Sequence, residues 1–541
     1  MGLLVLVVLW LLGYALGGAS MTWAATHSFQ MQVQTQCSYT RYPGLCVQSL
    51  KEFQDHPLDI MTALVNRTVS ETRLPNSYFE TRSSHLEAQE AERVLSVTDY
   101  CKNLMSMSLK RLDQSLSALE DSPRKNKHDI QTWLSAALTF QQACKDSTDS
   151  LGLSGDLMPR ISEKMDYLSQ LASNSLALVS RITHDYGTKL KNSTKRRRAE
   201  EKSQGFPKWV SAKDRKLLQT STIKANAVVA KDGTGNYQTI SEAINAAPGN
   251  RFVIYVKAGV YKEKIRSNKN GITLIGDGKY STIIAGDDSV AGGSSMPGSA
   301  TFKRERLGSI AITGDDFIAR DIGFQNTAGP GGEQALALYV ASDHSVFYRC
   351  SIAGYQDTLY ALALRQFYRE CDIYGTIDFI FGNAAAVFQS CSLVLRKPRG
   401  DSYNVILANG RDDPGQNTGF SVQSCRITAS SDFSPVMHSY NSYLGRPWKQ
   451  YSRTVVMESS IGDVISSRGW VEWPGEGSYA KSLYFAEYSN TGPGAGTSNR
   501  VKWPGFHVIG PSEAVKFTVG NFIAGNSWLP STGVTFISGL G

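Results

Sequence analysis

The chain of 541 residues is poor in the groups that most often carry metal or serine chemistry. Its eight histidines are not clustered, and none of its eight cysteines has the paired C-x-x-C spacing of a zinc site, so neither a metal nor another cofactor is expected. No Gly-x-Ser-x-Gly elbow occurs, and no Ser-His-Asp set stands out, which argues against a serine esterase. Apolar runs long enough to cross a bilayer are lacking as well. Leu3 to Leu12 is nearly uninterrupted but short, is preceded by no Lys or Arg, and is followed by Gly13, Gly17, Gly18 and Ala19. Residues 1–25 read as a secretory signal peptide, with a retained anchor as the alternative. The acceptors Asn66-Arg-Thr and Asn192-Ser-Thr agree with export as glycosylation sites. In an exported chain, the cysteines favour disulfides.

The length implies two domains. The 48 glycines and 24 tyrosines suit turn-rich β structure. The net charge of +8 suits an anionic partner, and an acidic polysaccharide, a nucleic acid or a membrane surface would satisfy it equally.

The most informative stretch is Val346 to Leu393. Three similar segments carry Cys350, Cys371 and Cys391 at intervals of 21 and 20 residues, and Cys425 follows in a fourth after an insertion. A period near 20 with alternating apolar residues predicts a solenoid of parallel strands. Neighbouring coils then lie about 4.8 Å apart, with residues in the same register stacked. Asp357 follows Cys350 by seven residues and Asp378 follows Cys371 by seven, so their carboxylates face one way, one coil apart. Two such groups relax by holding one proton between them, which provides an acid and a nucleophile or base at one site. The alternative is that both merely shape turns.

Five motifs in order, Gly259-Val-Tyr261-Lys-Glu263, Gln334-Ala-Leu-Ala-Leu338, Gln356-Asp-Thr-Leu359, Asp378-Phe-Ile-Phe-Gly382 and Leu444-Gly-Arg446-Pro-Trp448, make residues 225–541 resemble the plant pectin methylesterases. The resemblance implies a right-handed parallel β-helix that hydrolyses the methyl esters of polygalacturonate. It implies that Asp378 is the nucleophile, that Asp357 is the acid and then the base, and that Gln334 and Gln356 steady the oxyanion. Arg446 would grip Asp378 and keep it ionised. Thr301 and Trp448, with Gln334 and Arg446, would contact substrate. Tyr261 and Glu263 read as structural.

Residues 27–185 have helical periodicity, with long amphipathic segments at Leu86–Leu119, Ile130–Cys144 and Ile161–Ile182, and a loop is expected through Leu151–Gly155 and Met158-Pro159. A four-helix bundle follows. Cys37, Cys46, Cys101 and Cys144 punctuate it in a pattern that resembles the pectin methylesterase inhibitor family, which implies pairing of first with second and third with fourth. Between the domains, residues 186–224 form a basic linker. It contains Lys195-Arg-Arg-Arg198 and Arg215-Lys216-Leu217-Leu218, and the second cluster resembles this family's processing site.

In the β domain, stacked neighbours lie within disulfide range, so Cys350–Cys371 and Cys391–Cys425 are expected. Cys371–Cys391 is geometrically as acceptable, and the preference rests on leaving no cysteine unpaired and on a family bridge matching the second pair. The expected partners are methylated homogalacturonan, the chain's own front domain, a subtilisin-like processing protease and separate inhibitor proteins, with no nucleic acid. The chain is expected to act as a monomer in the cell wall. Rival readings are a pectin-cleaving glycosidase or lyase on the same fold, and a non-catalytic inhibitory protein.

Overall fold

The structure, a computed structural model, describes residues 29–53, 59–80, 88–150, 156–182, 224–249, 251–293, 310–475 and 477–541. The leader, Asn192, Thr301 and Arg215 to Leu218 lie outside the described residues. No helix among the described residues is long and apolar enough to cross a membrane.

The front half is helical: α1 (29–37), α2 (Pro43–Leu50), α3 (Ile60–Thr72), α4 (Ala88–Asp121), α5 (Lys127–Asp149) and α6 (Leu157–Ser180). Helices α3 to α6 bury Val65, Val69, Leu112, Leu134, Leu176 and Val179 between them, as their three-four spacing dictates. Met158-Pro159 does not form the expected loop but opens α6. Pro159 is the third helical residue, where a backbone N–H would have no intrahelical partner, so proline costs nothing there. Cys37–Cys46 ties α1 to α2, and Cys101–Cys144 ties α4 to α5, in the expected pairing. Asn66 is half-buried on α3, and the Thr68 of its acceptor is fully buried and donates to Leu64 O.

From Ala227 the chain winds through three parallel sheets. Sheet A has eleven strands, from Ala227–Val229 to Phe506–Val508. Sheet B has eight, from Gly259–Lys262 to Ser460–Ile461, and sheet C has seven, from Ile265–Ser267 to Ser442–Pro447. The link from A to B is two residues long in six successive coils, and it puts each cysteine at the same place in its coil. Its first residue is left-handed, with φ between 50 and 55° at Asp321, Arg349, Glu370, Ser390, Ser424 and Glu458. Each of these N–H groups donates to a carbonyl of the next coil, for example Arg349 N to Arg369 O at 2.9 Å, and that stacking holds a conformation L-residues otherwise avoid. The second residue points inward: Ile322, Cys350, Cys371, Cys391, Cys425 and Ser459. Beside them Phe347, Tyr368 and Phe388 stack at 4.9 and 4.7 Å.

The four cysteines of this ladder are free and buried, which corrects the expected pairs Cys350–Cys371 and Cys391–Cys425. Register places them side by side but also aims every Cβ the same way. Each Sγ turns to a carbonyl of the preceding coil, on Ala319, Phe347, Tyr368 and Phe388, at 3.3 to 3.5 Å. Alkylation of the unreduced, denatured protein should therefore label Cys350, Cys371, Cys391 and Cys425. A peptide map showing any two of them joined would refute this.

At the front end of the coil, α7 (Ile240–Ala246) packs on the first strands. Glu263 anchors it by accepting from Ile240 N, Ser241 N and Ser241 Oγ at 2.8 to 2.9 Å, and the Tyr261 hydroxyl donates to Lys257 O. Both motif residues are structural in this fold. The closing segment, with Phe517, Phe522 and Trp528, covers the outer face of sheet A.

The bundle sits on the outer face of sheet C. Tyr100, Met105 and Phe140 share one buried cluster with Tyr339, Tyr360 and Phe381. Arg111 (2% exposed) pairs with Asp315 at 2.6 Å, while Arg365 (1% exposed) bridges Asp343 at 2.7 Å and Asp129 of α5 at 2.5 Å. Further contacts are Trp133 Nε1 to Asp343, Lys449 to Asp146, Ser173 to Asp413, and Asn383 and Gln416 to Thr139.

Candidate active site

Sheet C presents one outward row across its seven strands: Arg266, Ala311, Tyr339, Tyr360, Phe381, Ala408 and Arg446 in register. Tyr360 and Phe381 stack at 4.3 Å, and Tyr339 meets Tyr360 edge-on at 5.4 Å. Trp448 closes on this row, 5.9 Å from Phe381 and 6.3 Å from Tyr360. It can do so because residue 410 is glycine: a Cβ there would lie 2.7 Å from the indole.

The links from B to C carry the polar groups. Asp357 stands two residues before Leu359, and Asp378 two before Ile380, and these leucine and isoleucine positions are register partners. The aspartates are thus stacked one coil apart, as the cysteine spacing predicts. Both are left-handed, with φ of 59 and 48°, a conformation that costs about 1 kcal/mol or more and that aspartate tolerates better than most residues. Asp357 N donates to Ile377 O at 3.0 Å. Gln334 and Gln356 pair as neighbours in the same stack.

Arg446 reaches back past the one intervening strand, Asn404–Asn409, to grip Asp378 with both prongs, Nε to Oδ1 at 2.8 Å and Nη2 to Oδ2 at 2.5 Å. Its third nitrogen, Nη1, donates to the Tyr403 hydroxyl at 2.7 Å, and the Trp473 ring lies 4.2 Å from the guanidinium carbon. Tyr403 and Trp473 went unnoticed in the sequence, and Tyr403, in a connection outside the repeat, left no signal to find. Thr301 cannot be placed.

Burial pushes the Asp378 carboxyl up, and Arg446 offsets only part of that, so the cation does not by itself hold the group in the ordinary carboxylate range. Asp357 goes well above that range, through burial first and the neighbouring Asp378 charge second. The pair therefore favours one proton, on Asp357, with Asp378 ionised in the grip of Arg446. Such an arrangement can deliver a nucleophile and an acid to one carbonyl.

Ionised Asp378 is lost as pH falls through its raised pKa, and protonated Asp357 is lost as pH rises, so kcat/KM should be bell-shaped. Arg446→Ala removes the group that lowers Asp378, so the acid limb should move up by about one pH unit or more. A pH–rate profile with an unmoved acid limb would contradict this assignment.

The profile described as Pectinesterase matches residues 226–526, and that described as Plant invertase/pectin methylesterase inhibitor matches residues 31–178. The chain is similar to probable pectinesterase/pectinesterase inhibitor 54 of Arabidopsis thaliana, 51% identical over 507 residues, covering 91% of this chain and 90% of the relative. It is also similar to pectinesterase 2 of Citrus sinensis, 45% identical over 523 residues, covering 94% and 95%. Among solved structures, pectin methylesterase from carrot matches with a TM-score of 0.56 and 50% identity, covering 60% of this chain and 100% of that one. A parallel coil with stacked, gripped carboxylates and a relationship of this extent lead to one conclusion: the chain belongs to the pectinesterase family of carboxylic ester hydrolases, with an inhibitor-family domain in front of the esterase.

Proposed function

We propose that Asp378 attacks the C6 carbonyl carbon of a methylated galacturonate, while Asp357 gives its proton to the departing methoxide to form methanol. Asp357, now ionised, takes a proton from water, and the resulting hydroxide breaks the acyl-enzyme, returning Asp378 as a carboxylate. Gln334 and Gln356 donate to the oxyanion, a contribution of about 3 kcal/mol for each donor. Trp448 offers its ring to a neighbouring sugar. The observation that carries this reading is the bidentate Arg446–Asp378 pair, stacked beneath the more strongly raised Asp357.

A pectin-cleaving glycosidase would also use two acids, and a spacing of one coil does not separate the two chemistries. The amides of Gln334 and Gln356 favour carbonyl chemistry. The carrot structure corresponds to the β domain alone, so residues 219–541 are the natural preparation. Incubated with methylated pectin and a chelator, they should release methanol without new reducing ends. Reducing ends without methanol would sink the reading.

The bundle restrains the esterase until the linker is cut during secretion to the cell wall. Support comes from where it lies: α5 covers Tyr360, Asn383 and Trp448, leaving a cavity of only about 20 Å³. Substrate and bundle would compete for one face.

A further inference from the structure

We propose that Tyr403 is a positioning residue for ester hydrolysis, acting through Arg446 rather than on substrate. The proposal rests on the reading of Asp378 as the nucleophile. A guanidinium bound to a carboxylate by two prongs can still rock about that pair and slide along it, carrying the carboxylate with it. Here the motion is blocked from two further directions. The Trp473 face stands 4.2 Å from the guanidinium carbon, and the Tyr403 oxygen accepts from Nη1 at 2.7 Å, a nitrogen that Asp378 does not use.

Tyr403 is itself held. Its ring meets Tyr443 edge-on at 6.1 Å, and Tyr443 lies on the same strand as Arg446, three residues before it. The residue after it, Asn404, is fully buried and donates to Arg396 O at 3.1 Å, closing the connection from which Tyr403 projects. The hydroxyl is thus built into the frame of sheet C. Its effect is to fix the direction in which Arg446 presents Asp378, and a displacement of about 1 Å in a reacting group can cost on the order of 100-fold in rate.

Tyr403→Phe removes one oxygen and keeps the ring. In the protein as secreted from a plant cell culture, kcat should fall about 10-fold, the loss expected for one hydrogen bond to a charged group, with KM unchanged. The acid limb of the pH profile should also move up, because a looser Arg446 supports ionised Asp378 less well. Thermal unfolding and an Asp378→Ala variant are measured alongside. Wild-type kcat and pH profile in Tyr403→Phe, with Asp378→Ala dead, would overturn the proposal and leave the nucleophile standing. So would a raised KM with unchanged kcat, which would mean that Tyr403 touches substrate, or a rate loss matched by a lowered melting temperature. Activity in Asp378→Ala would instead remove the reading beneath it.

Discussion

Asp378→Ala should lose methanol release by about 10⁴-fold or more, the scale on which removal of a nucleophile is felt when the rest of the site survives. Asp378 is 5% exposed and doubly bonded to Arg446, whereas Asp357, the other acid of the stack, favours its proton and is the weaker nucleophile. Removing it also leaves Arg446 buried without its anion, which should cost about 3 kcal/mol or more of stability. The two effects must be told apart. Asp378→Asn keeps the shape and an acceptor oxygen but lacks the negative charge, so it should be as inactive while melting closer to the parent. If Asp378→Asn hydrolysed pectin methyl esters at even a tenth of the normal rate, the nucleophile would have to be sought elsewhere.

A chain that cannot be cut should be nearly silent. Replacing Arg196, Arg197, Arg198, Arg215 and Lys216 by alanine is expected to give a full-length protein that releases methanol about 100-fold more slowly than the processed form. The figure follows from the tether. A bundle that bound as a separate chain with a Kd of about 10 µM would, at the roughly millimolar concentration a flexible linker provides, leave about 1% of molecules open. The docking contacts allow a sharper test in the same uncut background. Lys110→Ala, Arg111→Ala and Asp129→Ala together remove the bundle's halves of its contacts to Asp315 and Arg365 and leave every esterase residue in place. Leaving the largely buried Asp315 without either partner costs about 3–5 kcal/mol, enough to open most of the population. Methanol release should return without any cut. If the uncut parent demethylates pectin at the normal rate, the bundle is no autoinhibitor, whatever it touches.

Much of this was legible in the sequence because one local rule repeats. A two-residue link with a left-handed first position puts each cysteine at the same place in its coil, and the equal seven-residue offsets from Cys350 and Cys371 place Asp357 above Asp378. The same rule misled on the disulfides. Register states which residues are neighbours but not where their sulfurs aim, and in a parallel stack they aim alike. Tyr403 was missed because residues 396–403 form a connection of its own length, so distance along the chain says nothing about its place beside Arg446. The docked face of the bundle was hidden for a different reason. Arg111 of α4 is a charged residue in a helical pattern that says nothing of a second domain, yet it is buried, and it finds its anion, Asp315, only in that domain.

The contrast between the two kinds of link bears on how such a protein can change over evolutionary time. A two-residue link whose N–H must meet the next coil resists insertion and deletion, and six successive coils keep it, while the coil before them uses residues 277–281 for the same turn. The links from B to C run from residues 263–264 through 376–379 and 396–403 to residues 430–441, and the chain between Gly286 and Ile310 is longer still. The links from C to A vary less, from residues 383–384 to residues 410–418, so length variation is greatest on one side of the coil, and that side holds Gln334, Gln356, Asp357, Asp378 and Tyr403. New substrate preferences can be explored there by lengthening loops, while the frame that aligns the carboxylates stays untouched.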